Sequence, residues 1–232
     1  MDAFDERTVT ADPRLREVIG YDVAAYPFPA LVADLFDTPH LDRLHERHPK
    51  PVNATGDQDT PAHQVFYQGF EGIRPLYERF LREVVAPAYD DDLCVQRIPT
   101  FRIHYPGTIA VREFHRDSDY HHQLGVMNYW LPLTPAFASN TIWVESEPDA
   151  ADFAPVDLRP GEVLRFSAVR LTHGNHTNDT PLTRVSFDFR VLPRSLYRDS
   201  ELTSVTKGTR LTLGDYYALL TRDGELHHVG EA

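Results

Sequence analysis

The chain has one cysteine, Cys94, in 232 residues, which excludes an internal disulfide framework. Its apolar neighbours Leu93 and Val95 predict a buried strand thiol. No apolar run approaches the roughly 18 residues that a membrane-spanning helix needs. The N-terminus, Met-Asp-Ala-Phe-Asp-Glu, lacks the basic and then apolar stretches of a secretory signal, so the cytoplasm is the expected location. Basic charge is scarce. The 23 Lys and Arg stand against 35 Asp and Glu, a net charge of −12, which argues against nucleic acid as a partner because phosphate binding needs a basic surface. Internal repeats and low-complexity tracts are missing, and so is the HExxH pair that zinc hydrolases carry on a helix.

What remains is an ordinary globular composition, 41% hydrophobic and 25% charged, long enough to bury a sizeable core as one domain. Residues 1–92 read as a mostly helical N-terminal part, 93–192 as a strand-built core and 193–232 as a polar extension. After an irregular lead-in with a short strand near 19–24, Pro27 and Pro29 punctuate a helix start, and 30–36 and 41–48 look helical. Residues 49–62 are rich in breakers and read as a loop long enough to fold over a site. A 3.6-residue apolar period through Phe70, Ile73, Leu76, Tyr77, Phe80, Leu81 and Val84 predicts a helix over 69–86. Strands are predicted at 94–105, 109–114, 123–131, 140–145, 162–166, 169–173 and 182–192, with a short helix at 214–222. Many short strands with turns and no helices between them indicate an antiparallel sandwich or barrel. The partner is expected to be a small molecule, and a homodimer is compatible with this composition.

Histidine is enriched, 12 in all, and half of them fall between His104 and His176. Within that region stand His115-Arg116-Asp117, then His173, then Arg184 and Ser186. Two imidazoles and one carboxylate form the facial ligand set that suits non-haem Fe(II), and a fixed arginine nearby is a receptor for a carboxylate. The run 182–192 alternates. Val185, Phe187, Phe189 and Val191 form one face, and Arg184, Ser186, Asp188 and Arg190 the other. His176 competes with His173 as the distal ligand; Gly174, which lets the backbone turn at once, favours His173.

The HxD pair, the distal histidine and the arginine eleven residues beyond it resemble the iron(II)/2-oxoglutarate-dependent dioxygenases, most of all their small bacterial members of the phytanoyl-CoA-hydroxylase-like and StrG-like kind. The motif core covers about a third of the chain. The resemblance implies a double-stranded β-helix, a cupin-like jelly roll that is mainly β with an N-terminal helical region. It implies Fe(II) held by His115, Asp117 and His173, with 2-oxoglutarate and O2 as co-substrates. The far carboxylate of 2-oxoglutarate would pair with Arg184, with Ser186 beside it. An intact Asp117 favours hydroxylation, or another oxidation such as desaturation or ring closure, because related halogenases carry a small residue there.

Around this set, Arg102 and His104 share a strand face, and Arg102 is either an ordinary surface arginine or a carboxylate contact. Asn128 interrupts an apolar strand and is either hydrogen-bonded in the core or turned to the ligand. Thr141 and Trp143 lie on strands expected to flank the metal. Arg102, Asn128 and Thr141 are therefore assigned with Arg184 and Ser186 to the 2-oxoglutarate pocket. Asp119, His121 and His122 form a polar loop at the barrel mouth, either plain surface or, with Trp143, substrate contacts. The function expected is hydroxylation of a small polar metabolite, such as an amino acid, an amine or an aminoglycoside-like sugar, in a biosynthetic pathway. A cupin-like metalloenzyme that does not use 2-oxoglutarate and a non-catalytic ligand-binding barrel are the alternatives.

Overall fold

A computed structural model describes residues 15–51, 60–110, 114–204 and 208–228. The centre of the loop expected at 49–62 therefore lies outside the described residues, as do residues 111–113 of the strand expected to lead into His115.

Two antiparallel sheets face each other. The larger has the order β1(Arg16–Gly20), β7(Glu162–Phe166), β4(Met127–Pro132), β9(Arg184–Pro193), β2(Leu93–Gln96), β10(Tyr217–Leu220), β11(Leu226–His227), and β3(Thr100–His104) also pairs with β9. The smaller is β6(Ala154–Pro155), β5(Trp143–Val144), β8(His173–Gly174). This is the jelly-roll form of a double-stranded β-helix.

β9 is its axis. One edge pairs with β4, Met127 opposite Val191 through Pro132 opposite Ser186. The other edge is shared end to end by β2 and β3. Alternation along β9 then fixes two environments. Phe187 and Phe189 point outward, where Phe28 meets Phe187 at 5.2 Å and Tyr77 meets Phe189 at 5.3 Å between ring centroids. Burying such rings contributes roughly 1.5–3 kcal/mol each. Arg184, Ser186, Asp188 and Arg190 are buried on the other face, towards the small sheet.

The helices cover the outer face. They are α1(Phe28–Leu35), α2(Leu44–Arg47) and α3(Pro61–Phe80). α3 begins eight residues before the expected 69. Pro61, read in sequence as a breaker, is its first residue, where a missing N–H is harmless. Thr60 caps it, with its hydroxyl 2.8 Å from Nδ1 of His63. Beyond Phe80 the helix widens into a π turn at Leu81–Val85 and ends in a 3-10 turn. No helix among the described residues is long and apolar enough to cross a membrane.

The short strand expected near 19–24 lies at Arg16–Gly20 and pairs with β7 in the large sheet. One expectation is corrected. Residues 214–222 hold no helix: Tyr217–Leu220 forms β10 against β2, with Leu219 opposite Cys94. That pairing seals the Cys94 thiol, which burial pushes up to about 12.

Candidate metal centre

His115 bridges His173 in antiparallel fashion, N to O at 3.0 Å in both directions, and so extends the small sheet by one residue. Asp117 follows as the first residue of a 3-10 turn, and its amide is held by the carbonyl of Ala168 at 2.8 Å. The three side chains converge, with one ligand atom from each lying within 4.8 Å of the others. Oδ1 of Asp117 is 3.7 Å from Nε2 of His115 and 3.7 Å from Nε2 of His173. His176 is elsewhere. Its ring meets Trp143 edge to face at 4.6 Å and lies tilted against Phe114 at 5.4 Å.

The donor atoms are also prepared electronically. Nδ1 of His173 lies 3.0 Å from the carbonyl of Leu171, which fixes the N–H there and turns the Nε2 lone pair to the site. Burial lowers the His173 pKa to about 4, so the ring is neutral at ordinary pH. Burial alone would raise Asp117, but the charge of Arg190 and a hydrogen bond with His115 hold it well below the usual carboxylate range. Arg190 donates to Oδ2 of Asp117 through Nε at 3.0 Å and Nη2 at 2.9 Å, leaving Oδ1 turned to the imidazoles. Two imidazoles and one ionised carboxylate fit a divalent cation of the Fe(II) type.

The adjoining cavity is lined by Arg102, Asn128, Trp130, Arg184, Asp188 and Arg190 together with His115 and His173. Arg184 is held by the carbonyl of Asn140 (Nε, 3.0 Å) and by Ser186 Oγ (2.9 Å), and lies over the Trp130 ring at 5.5 Å. Asn128 Oδ1 is buried and has no hydrogen-bond partner among the described residues, the mark of a polar group facing a ligand. Arg102 reaches Asp188 at 2.9 Å, and Asp188 also accepts from Arg190 at 2.8 Å.

Other expected residues are placed differently. Thr141 is fully buried and donates to the carbonyl of Val156 at 2.5 Å, away from the cavity lining. Trp143 is half-buried and is not part of the cavity lining, and its indole N–H is buried without a partner among the described residues. His121 is exposed in a left-handed conformation, and Asp119 is spent on the amide of Arg116 at 3.0 Å. His122 turns inward against Tyr216 at 5.7 Å. Asp188 and Arg190 carry no sequence motif. The polar face of β9 was the signal that pointed to them, and Trp130, across from Asp188 on β4, had none.

Gly174 serves a purpose other than a turn. Its backbone stays in the strand, and a Cβ there would lie 2.9 Å from the Phe114 ring and 3.1 Å from its Cα. The glycine lets the segment entering His115 lie directly on β8.

A His-Asp-His set that could hold a metal ion lies in a jelly roll, with an arginine lining the adjoining cavity. The fold is that of the non-haem iron and 2-oxoglutarate oxygenases. SnoK, a non-heme alpha-ketoglutarate-dependent carbocyclase from nogalamycin biosynthesis, has a TM-score of 0.56 at 14% identity, over 94% of this chain and 97% of its own. EctD from S. alaskensis with bound Fe has a TM-score of 0.55 at 14% identity, over 85% and 79%. Streptomycin biosynthesis protein StrG of Streptomyces griseus is 38% identical over 197 residues, 85% of this chain and 94% of StrG. The chain belongs to the StrG family. No family model matches it.

Proposed function

We propose that the chain is an Fe(II)- and 2-oxoglutarate-dependent oxygenase that hydroxylates a small polar metabolite of a biosynthetic pathway. The observation that carries this reading is the convergence of His115, Asp117 and His173 within 4.8 Å, beside a cavity that also holds Arg184. In the fold family, bound iron and 2-oxoglutarate supply the activation of dioxygen for attack on a C–H bond. The protein's own share is positional. His115, Asp117 and His173 hold the metal. Arg184, braced by Ser186, receives the far carboxylate of the keto acid. The amide of Asn128, whose orientation follows its partner, presents N–H to a ligand oxygen.

The polar class of substrate is supported by the lining, where Arg102, Asp188 and Arg190 share the cavity with His115 and His173. It is also supported by the family, whose named member belongs to streptomycin biosynthesis. An amino acid, an amine or an aminoglycoside-like sugar fits that setting.

The test is anaerobic. Fe(II) and then 2-oxoglutarate are added to metal-free protein, and the visible metal-to-ligand charge-transfer band is followed. The band should form in the wild type and vanish in His173→Ala. In Arg184→Ala, half-saturation should need about 10- to 100-fold more 2-oxoglutarate, the worth of one charge-assisted contact. Succinate release would then screen substrates. Tight zinc binding with no such band would sink the proposal.

A further inference from the structure

Beside Arg184 lies a histidine that meets two acceptors and, among the described residues, no donor. His104, the last residue of β3, is fully buried and directly opposite Arg184 of β9. Its Nδ1 is 3.2 Å from the carbonyl of Asn140 and its Nε2 is 2.9 Å from the carbonyl of Thr108. A neutral imidazole has one N–H and one lone pair. Whichever tautomer forms, one ring nitrogen presents its lone pair to a carbonyl oxygen. Only the imidazolium satisfies both contacts.

The surrounding charges work against that cation. Arg184 stands across the sheet and donates to the same Asn140 carbonyl at 3.0 Å. Arg102, two residues along β3 on the same face, is paired with Asp188 at 2.9 Å, and Lys50 adds a weaker repulsion. Burial first, and then Arg184, lower the His104 pKa to about 4. The ring is thus built to be charged and held neutral mainly by desolvation and by one guanidinium. A carboxylate placed on Arg184 removes that repulsion and adds an attraction.

We propose that His104 is the proton acceptor of the co-substrate site, so that a dicarboxylate whose far carboxylate pairs with Arg184 binds together with one proton. This rests on the assignment of Arg184 above. By linkage, proton and dicarboxylate strengthen each other's binding. His104 touches neither metal nor keto group in this scheme and is a positioning residue: its charge locks the Asn140 carbonyl that braces Arg184.

Calorimetry on the Fe(II)-loaded protein, anaerobically at pH 7 in phosphate and in Tris, measures the proton directly. For 2-oxoglutarate, the observed heat should vary with buffer ionisation enthalpy with a slope approaching one proton taken up. For 2-oxobutyrate, which keeps the keto acid and lacks the far carboxylate, the slope should be near zero. From pH 6 to 8 the Kd for 2-oxoglutarate should rise by up to tenfold per unit, because the complex holds the proton that the free protein lacks. In His104→Gln, which cannot take a proton, slope and pH dependence should vanish, and the charge-transfer band should still form but need more 2-oxoglutarate at pH 6. A wild-type band with no proton uptake, or equal uptake with both keto acids, overturns the inference while leaving the oxygenase assignment standing. Failure of the wild type to form the band overturns both. If His104→Gln does not fold, the comparison of the two keto acids in the wild type decides alone.

Discussion

Arg190 illustrates how one residue prepares another. Its guanidinium is buried, spans Asp117 and Asp188, and keeps the Asp117 carboxylate ionised in a place that would otherwise protonate it. In the metal-free protein, Arg190→Leu should cost about 3–5 kcal/mol at neutral pH, the usual effect of stranding a buried charge. The sign with pH is specific. In the wild type the depressed Asp117 pKa contributes stability that is present above the ordinary carboxylate value and lost as pH falls through the depressed one. In the variant, burial raises the same pKa, so acidification relieves it. His104, His122 and His173, each lowered to about 4 chiefly by burial, weaken both proteins as pH falls from 6.5, because the unfolded chain takes up protons first. The gap between the two proteins is therefore the readout. Chemical denaturation should show it narrowing from pH 7 to 4, and a gap that stays constant would refute this role for Arg190.

At the scale of elements, the candidate metal centre depends on how closely two short segments approach. β8 is only two residues long, and its Gly174 lies under Phe114. Gly174→Ala places a methyl against the Phe114 ring and backbone, next to His115. Metal affinity should fall about tenfold, in the range seen when supports of metal ligands are altered, while the thermal midpoint moves little. Titration with Mn(II) followed by electron paramagnetic resonance measures this; unchanged affinity would show that the 114–116 segment shifts without consequence. α3 shows the reverse relation, because its apolar period was plain in the sequence. Its true start was hidden, since Pro61 reads equally as a loop breaker and as a first helical residue.

At the scale of the molecule, the segment after Pro193 completes the large sheet. β10 covers the edge of β2, Tyr216 donates to Gln96 at 2.9 Å, and Arg97 is tied to the Tyr216 carbonyl at 3.0 Å. Deleting residues 200–232 would leave Leu93–Gln96, now wholly buried, as an open apolar edge. The truncated protein should aggregate and melt at lower temperature, as seen by light scattering and calorimetry. A monodisperse product with an unchanged midpoint would mean that the extension is dispensable.

The sequence alone determined the antiparallel core, the helix of the Phe70–Phe80 stretch and the two faces of β9, because these follow from local periodicity of apolar residues. It also brought His115, Asp117, His173, Arg184 and Ser186 forward as one candidate set through motif spacing. Tertiary structure decided what depends on contacts between distant residues. The grip of Arg190 on Asp117 spans 73 positions. The need for glycine at 174 comes from Phe114, sixty residues earlier. Tyr217–Leu220 has a helix-like pattern but becomes a strand because the open edge of β2 offers hydrogen bonds that outweigh local propensity. His104 belongs with these, since its two carbonyl neighbours come from a turn and from a separate loop.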